Sequence, residues 1–470
     1  MQTSRPMNPL RVLAIVAVAA LAGACASSGK ASEPTRPAAT TSSATPAPTA
    51  GSADVTASDL PNALVLVGRT GSADLELVVV QTGESVMKLP AGVMDPRWQW
   101  LVTAKADTLG TIVRDVAAEN GSSGPVLDVK GRWRLPTIGT DRVPAGVSAD
   151  GSTFALVAAD APGTGAANAA SRFAVVQHVV GARPTRDRTA PLQLTKVIEL
   201  PGSFEFDALS PDGSILYVVE HLDGQTGAYQ VRAVDIATGK LRDGVIADKR
   251  NIGEAMAGWP VGQVRQPDGV VLTLYRSKDH PFVHVLNTVD AWAVCLDLPA
   301  SAAGDTPAAT DWGLAAGPDR RSIYAVNATL GIAAEIDATE LVVERTAVLK
   351  TASVGASSGV AVGAPSIVLA KFGHDEVGAA GRVVVSPDGA TVWAAGSNGI
   401  VAIASRDLKV TRRMLDGVAV DAIAVAPDGS AIYALERNAG RIVALDTATG
   451  STLGEVPGRG FDRLLAAAPW

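Results

Sequence analysis

Short apolar runs separated by turn-forming residues dominate the chain, and the clearest example lies at residues 420–458. Residues 420–426 (VDAIAVA) predict one strand, Pro427-Asp428-Gly429 a turn, 431–436 a second strand and 441–445 a third. Asp446-Thr447-Ala448-Thr449-Gly450 then predicts another turn, and 451–456 a fourth strand. Proline at the first central position presets φ, aspartate tolerates the second, and glycine supplies the positive φ that closes a hairpin with a local bulge. A helix cannot run through such punctuation. The unit reads as one four-stranded antiparallel blade.

The same punctuation returns along the chain. Pro211-Asp212-Gly213, Pro267-Asp268-Gly269 and Pro387-Asp388-Gly389 repeat it, and Ala149-Asp150-Gly151 and Pro318-Asp319-Arg320 are degraded copies. An aromatic residue stands five places after the aspartate at Tyr217, Tyr324, Trp393 and Tyr433. The second turn recurs as Asp235-Ile236-Ala237-Thr238-Gly239, with weaker echoes at Asp337-Ala338-Thr339-Glu340 and Gln81-Thr82-Gly83. One strand-and-turn unit repeating every ~40 to 70 residues is the signature of an all-β fold, a β-propeller of four-stranded antiparallel blades.

These segments resemble the YVTN-repeat (WD40-like) propellers, whose unit runs PDG-x-x-x-Y-V-x-N and then V-x-V-I-D-x-x-T-G. Residues 319–337 and 428–450 match that pattern best. The tetrad is loose here, as Tyr217-Val218-Val219-Glu220, Tyr324-Ala325-Val326-Asn327, Trp393-Ala394-Ala395-Gly396 and Tyr433-Ala434-Leu435-Glu436. The resemblance covers residues 61–470 and implies a fold. It carries almost no information about activity, because such propellers serve as binding platforms, scaffolds and, less often, enzymes.

Residues 63–67, 75–80 and 84–89 read as strands two, three and four of a blade that has no first strand before them. Residues 461–469 look like the missing copy, so the C-terminal strand is expected to complete the N-terminal blade and remove two open edges. Between them the blades fall at about 91–139, 143–201, 205–248, 257–300, 311–350, 381–416 and 420–458, with the fourth regular. The third carries a small-residue insertion at 161–170 and a basic loop at 183–188, and a Gly/Ala/Ser-rich loop spans 351–380. The count is eight, or seven if the degenerate second blade or the first fragment packs differently.

The N-terminal residues set the address. Residues 1–24 combine Arg5 and Arg11 with an apolar stretch, 12–21, too short for a typical bilayer span, and read as a signal peptide. The segment ends at Leu21-Ala22-Gly23-Ala24-Cys25, which resembles a bacterial lipobox with Ala22 in the place usually held by leucine. That resemblance implies diacylglyceryl modification of Cys25 and a lipid anchor at the extracytoplasmic face of the cell membrane. An ordinary signal peptide with an incidental cysteine is the alternative. Cys295, the other of the two cysteines, lies in an apolar strand where a small buried thiol is expected, and lipidation of Cys25 is preferred to a disulfide between them. Residues 25–60 are Ala, Ser, Thr, Pro and Gly with hardly an aliphatic run, the composition of a disordered tether. The propeller domain then occupies 61–470.

Charge excludes one class of partner. The formal net charge is −7, and residues 1–24 hold two arginines and no acid, so −7 − 2 leaves −9 for the chain after them. Nucleic acid is not an expected partner. No nucleophile motif, phosphate loop or specific metal pattern stands out, and no cofactor is expected. His280 and His284 share a face of an extended segment, and His374, Asp375 and Glu376 set three potential ligands side by side, although adjacent residues rarely converge on one ion.

Several carboxylates recur where the innermost strands begin: Glu205, Asp207, Asp311, Asp421 and Asp462. They are the candidate ligand-binding residues of a channel mouth, or else caps for neighbouring backbone amides. Trp98, Trp100, Trp259 and Trp312 either line a sugar- or peptide-binding surface or pack between blades. The leading expectation is a non-enzymatic envelope lipoprotein whose propeller binds a protein, glycan or small ligand. The competing one is an extracytoplasmic enzyme on the same fold, lactonase-like or a quinoprotein-like oxidoreductase.

Overall fold

The Pro-Asp-Gly turns close as their chemistry requires. Gly429 has φ of 75°, and its N–H donates to the Ala426 carbonyl at 2.8 Å. The aspartate does more than tolerate its position. Asp428 Oδ1 accepts the Ser430 N–H at 3.0 Å, and Asp212, Asp388 and Asp150 accept the amide two residues on in the same way. In the degraded copy Arg320 itself adopts φ of 60°, with Asp319 Oδ1 accepting the Arg321 and Ser322 amides at 3.0 Å each.

The computed structural model describes residues 60–469 with interruptions, the longest at 115–126, 159–170 and 350–379. The signal region, Cys25, nearly all of the tether, both insertions in the third blade, His280, Trp98 and His374-Asp375-Glu376 lie outside the described residues. No helix among the described residues is long and apolar enough to cross a membrane.

The fold is an all-β propeller of four-stranded antiparallel units. The last of them contains Ala422–Val425, Ala431–Glu436, Arg441–Asp446 and Thr452–Glu455, each hydrogen-bonded to the next. The first unit has the order Ser85–Leu89, Leu75–Val79, Ala63–Arg69, Phe461–Pro469, so the C-terminal strand does complete the N-terminal sheet. The pairing is antiparallel with Leu64 opposite Ala468 and Val67 opposite Leu464, and bulges interrupt it at Leu66/Val67 and Gly68/Arg69. Units two and three, which begin with Gly92–Met94 and Arg142–Val147, merge through a short parallel pairing of Ala190 with Trp133 and Pro191 with Arg134.

Central strands are buried on both faces, which is why they read as continuous apolar runs rather than as an alternating pattern. In Ala431–Glu436, Ala431, Tyr433 and Leu435 pack against Val65, Val67 and Val78 of the first unit. Ile432 and Ala434, on the opposite face, pack with Trp393, Ile400 and Ala402 of the preceding unit. The recurrent aromatic residue therefore seals the joint to the next sheet: Tyr217 against Val271, Tyr275 and Phe282, and Tyr324 against Val392 and Ala394. Outermost strands alternate instead. Val342–Val348 exposes every second residue, and its charged Glu344 protects an edge that would otherwise pair with another chain.

Two departures from the sequence expectation concern sheet edges. The fourth unit, expected to be regular, has its outer edge in pieces: Lys240–Leu241, a single bridge from Ile246 to Val231, and Met256–Ala257, which pairs back onto Ala228–Asp235. Gly244, at φ of 82°, turns the chain away between the first two pieces. Ala380–Gly381, which precedes the seventh unit's first strand Val383–Val385, pairs with the inner strand of the eighth unit, Ala380 opposite Ala424. Inner edges lack a neighbour within their own sheet, so a passing segment with small side chains can occupy one.

Candidate functional site

The five mouth carboxylates sit where the first strands of their sheets begin, and each has a hydrogen-bonding or charged partner, which for Asp207 and Asp311 lies in a neighbouring sheet. Asp311 Oδ2 accepts the Thr329 hydroxyl at 2.7 Å, and its Oδ1 lies 3.4 Å from Arg382 of the neighbouring sheet. Thr329 Oγ1 accepts the Ser397 amide at 2.9 Å, which carries the connection across the same boundary. Asp421 Oδ2 accepts the Arg437 N–H at 3.2 Å, and Arg437 Nε donates to the Asp462 carbonyl at 3.2 Å. The Asp462 side chain meets Arg463 Nε at 3.1 Å, and Arg463 reaches the Ser72 carbonyl.

Between the fourth and fifth units the polar network is buried. Asp207 is 4% exposed, in the strand Ser203–Leu209, and Gln263 is 2% exposed, in Trp259–Arg265. Gln263 Nε2 lies 3.4 Å from Asp207 Oδ1 and 3.0 Å from Thr273 Oγ1, while Arg265 donates from Nε to Gln263 Oε1 and from Nη2 to the Asp207 carbonyl. Glu205, on the same strand, has Oε1 3.4 Å from His221 Nε2. Buried acids and amides held by several donors in low dielectric fix the register of two sheets. The structure thus places Asp207 in a buried network with Gln263, pairs Glu205 with His221 on the same strand pair, ties Asp421 to the Asp462 carbonyl through Arg437, and joins Asp311 to a different pair of units.

Sequence reading missed the partners: Gln263, Thr273, Arg265, Thr329, Arg382 and Arg437. None stands in a motif. The signal that could have found Gln263 and Thr273 was positional, since Thr273 occupies the aromatic position five residues after Asp268 and lies directly opposite Gln263. A polar pair in an aromatic slot is out of pattern.

At the other end of the first strands, the Pro-Asp-Gly turns surround a cavity of about 60 Å³, lined among others by Ser148, Pro211, Arg265, Gln266, Thr288 and Arg320. Arg320, at φ of 60°, lines it as well, and its Nη1 lies 3.4 Å from the Arg265 carbonyl. Gln266 Nε2 is buried there with no hydrogen-bond partner. The open Gln266 amide donor suits this cavity to a small anionic or carbonyl group. Ser148 gives its hydroxyl proton to Asp150 at 2.5 Å, so it closes its own turn.

The remaining candidates divide. Trp312 is buried at 2% and packs between the fifth and sixth units, while Trp259 is 39% exposed beside Gly227. His284 is buried at 1%, and burial lowers its pKa to about 4, so it is a neutral imidazole at ordinary pH. Among the described residues no group of three or more His, Cys, Asp and Glu side chains is placed to hold a metal ion.

No family model matches the chain, and no curated protein matches it. Solved structures similar to it include apo AztD from Citrobacter koseri, at 12% identity over 86% of this chain and 97% of that one, with a TM-score of 0.49. The periplasmic gluconolactonase PpgL of Pseudomonas aeruginosa is 18% identical over 87% of this chain and 99% of that one, with a TM-score of 0.41. The β-propeller domain of Cps50 (Swd1) from Myceliophteria thermophila is 11% identical over 68% and 88%, with a TM-score of 0.35.

Proposed function

We propose that this chain is a lipid-anchored binding module of the cell envelope, a YVTN-repeat propeller of eight units. In this reading Cys25 carries the diacylglyceryl group, residues 25–60 are the tether, and the propeller presents its loop-built ends to a protein, glycan or small ligand. The observation that carries binding over catalysis is the employment of the mouth carboxylates. Asp207 and Asp311 reach Gln263 and Arg382 of neighbouring units, and the carboxylates of Asp421 and Asp462 are engaged by the Arg437 N–H and by Arg463. A general acid or base has to face a substrate instead. The turn-side cavity, where Gln266 Nε2 is the open donor and Arg320 forms part of the wall, is the place where a small anionic or carbonyl group of a partner would dock.

Two measurements test this reading. Mass spectrometry of the membrane-extracted protein should show a mature N-terminus at lipid-modified Cys25, and Cys25→Ala should move the protein to the soluble fraction. A mature chain that keeps residues before Cys25, or membrane retention of the Cys25→Ala variant, overturns the anchor. Affinity capture from intact envelopes should retain a partner that the Arg320→Ala chain loses. Saturable turnover of lactones or dye-coupled oxidation of sugars by the purified chain would refute the binding reading in favour of an enzyme.

A further inference from the structure

The divided outer edge of the fourth unit brings a methionine to an unusual place. Met256, paired opposite Tyr229, lies over the fifth unit, where His284 in Phe282–Asn287 stands directly opposite Cys295 in Trp292–Asp297. Cys295 Sγ is 3.7 Å from Met256 Sδ and 3.7 Å from His284 Nδ1. Cys295 is half-buried rather than the buried thiol expected, as is Met256, so both sulfurs sit at the rim while the imidazole forms the floor.

These separations are those of ligands sharing one ion. Metal–sulfur bonds of about 2.3 Å and metal–nitrogen bonds of about 2.0 Å, at angles between tetrahedral and trigonal, place donor atoms about 3.5–4.0 Å apart. A second observation points the same way. His284 is 1% exposed and turns Nδ1 to the Cys295 sulfur, while its Nε2 has no hydrogen-bond partner, so a buried imidazole is given over to this contact. The ring is also fixed by an edge-on contact with Tyr275, 6.3 Å between centroids at 88°.

The donor set selects the metal. A thiolate, a thioether and an imidazole are soft or borderline ligands, and the thioether in particular favours a soft monovalent ion over zinc. Asp248 is committed elsewhere in part, since its Oδ2 accepts the Cys295 N–H at 3.1 Å and so steadies the strand that carries the thiol. We propose that Met256, His284 and Cys295 form a binding site for a single Cu(I) ion, in the joint between the fourth and fifth units.

The test uses the full chain carrying Cys25→Ser, so that the other cysteine contributes nothing, titrated anaerobically with Cu(I) against a chromophoric Cu(I) chelator. One equivalent should bind, and X-ray absorption at the copper edge should show two sulfur neighbours and at least one nitrogen. Adding Cys295→Ser should abolish competition with the chelator. Adding Met256→Leu, which preserves volume, should leave one sulfur and weaken binding by more than about tenfold. Thermal scans of each variant show whether it is folded. Binding that survives Cys295→Ser, a folded parent chain that cannot compete for Cu(I), or a spectrum without a second sulfur overturns the proposal and leaves an ordinary thiol–thioether packing contact.

Discussion

Deleting residues 461–470 is the sharpest perturbation of this fold. The strand Phe461–Pro469 supplies the inner edge of the first unit, and Phe461, Leu464 and Leu465 are 0%, 6% and 9% exposed. Burying a side chain of that size stabilises by about 1.5–3 kcal/mol, so the three together contribute about 5–9 kcal/mol. That is comparable to the whole stability of many domains, about 5–15 kcal/mol. The truncated chain should lose its cooperative thermal transition, or show it many degrees lower. Amide exchange along Ala63–Arg69 should become fast, because these residues lose the partners opposite them. The bared edge should also drive self-association, visible by light scattering. A graded version is Phe461→Ala, expected to cost about 3–5 kcal/mol in urea denaturation. Its ring packs with Val67, Leu464 and Tyr433 in the core cluster, and the Arg69 guanidinium lies 4.4 Å above its centroid. A synthetic peptide of residues 461–469 added to the truncated chain should restore protection. Wild-type melting and unchanged exchange at Ala63–Arg69 after truncation would refute the closure.

Two further predictions concern the turns. Gly429→Ala meets only ordinary contact, its nearest neighbour being Pro387 at 3.6 Å, so it should cost only the left-handed backbone penalty of about 1–2 kcal/mol. Gly83→Ala should cost more by the same urea measurement, because its Cβ would lie 2.2 Å from the Pro457 carbonyl oxygen at φ of 69°. Acid should unfold the protein through the same turns. The Ser210 hydroxyl and then the Ser214 amide hold Asp212 below its ordinary pKa of 3.8, and the Ser386 hydroxyl and then the Ala390 amide do so for Asp388. A carboxylate with a lowered folded pKa contributes its stability above the unfolded value and loses it as pH falls through the folded one. Stability should therefore decline below about pH 4, and the double variant Asp212→Asn/Asp388→Asn should decline less over that range; an unchanged acid profile would remove these carboxylates from the account.

Much of the architecture was legible in the residues themselves. Turn chemistry is local: a proline, an aspartate and a glycine in succession select one backbone path wherever they occur, so the hairpins at Gly213, Gly389 and Gly429 follow from sequence alone. The closing strand was legible because Phe461–Pro469 repeats a pattern whose first member is missing at the other end of the chain. The candidate site was legible only by position. The sequence placed five acids near the starts of inner strands, but not Gln263 and Arg382, which reach Asp207 and Asp311 from neighbouring sheets, nor Thr329 and Arg437, which stand 18 and 16 residues on in the same sheets as Asp311 and Asp421.

Local conformation, then, was decided by the order of residues, and lateral contact by the packing of one sheet on the next. Which way a segment such as Met256–Ala257 turns after leaving its sheet depends on which edges stand vacant beside it, and that is a property of the assembled fold. The contact of Met256, His284 and Cys295 joins two units through residues 28 and 39 positions apart in sequence from the first of them, too far for any periodic signal to couple. Side-chain period and turn type act over a few residues, whereas contacts such as Asp207 with Gln263 and Met256 with Cys295 form only when one sheet packs on the next.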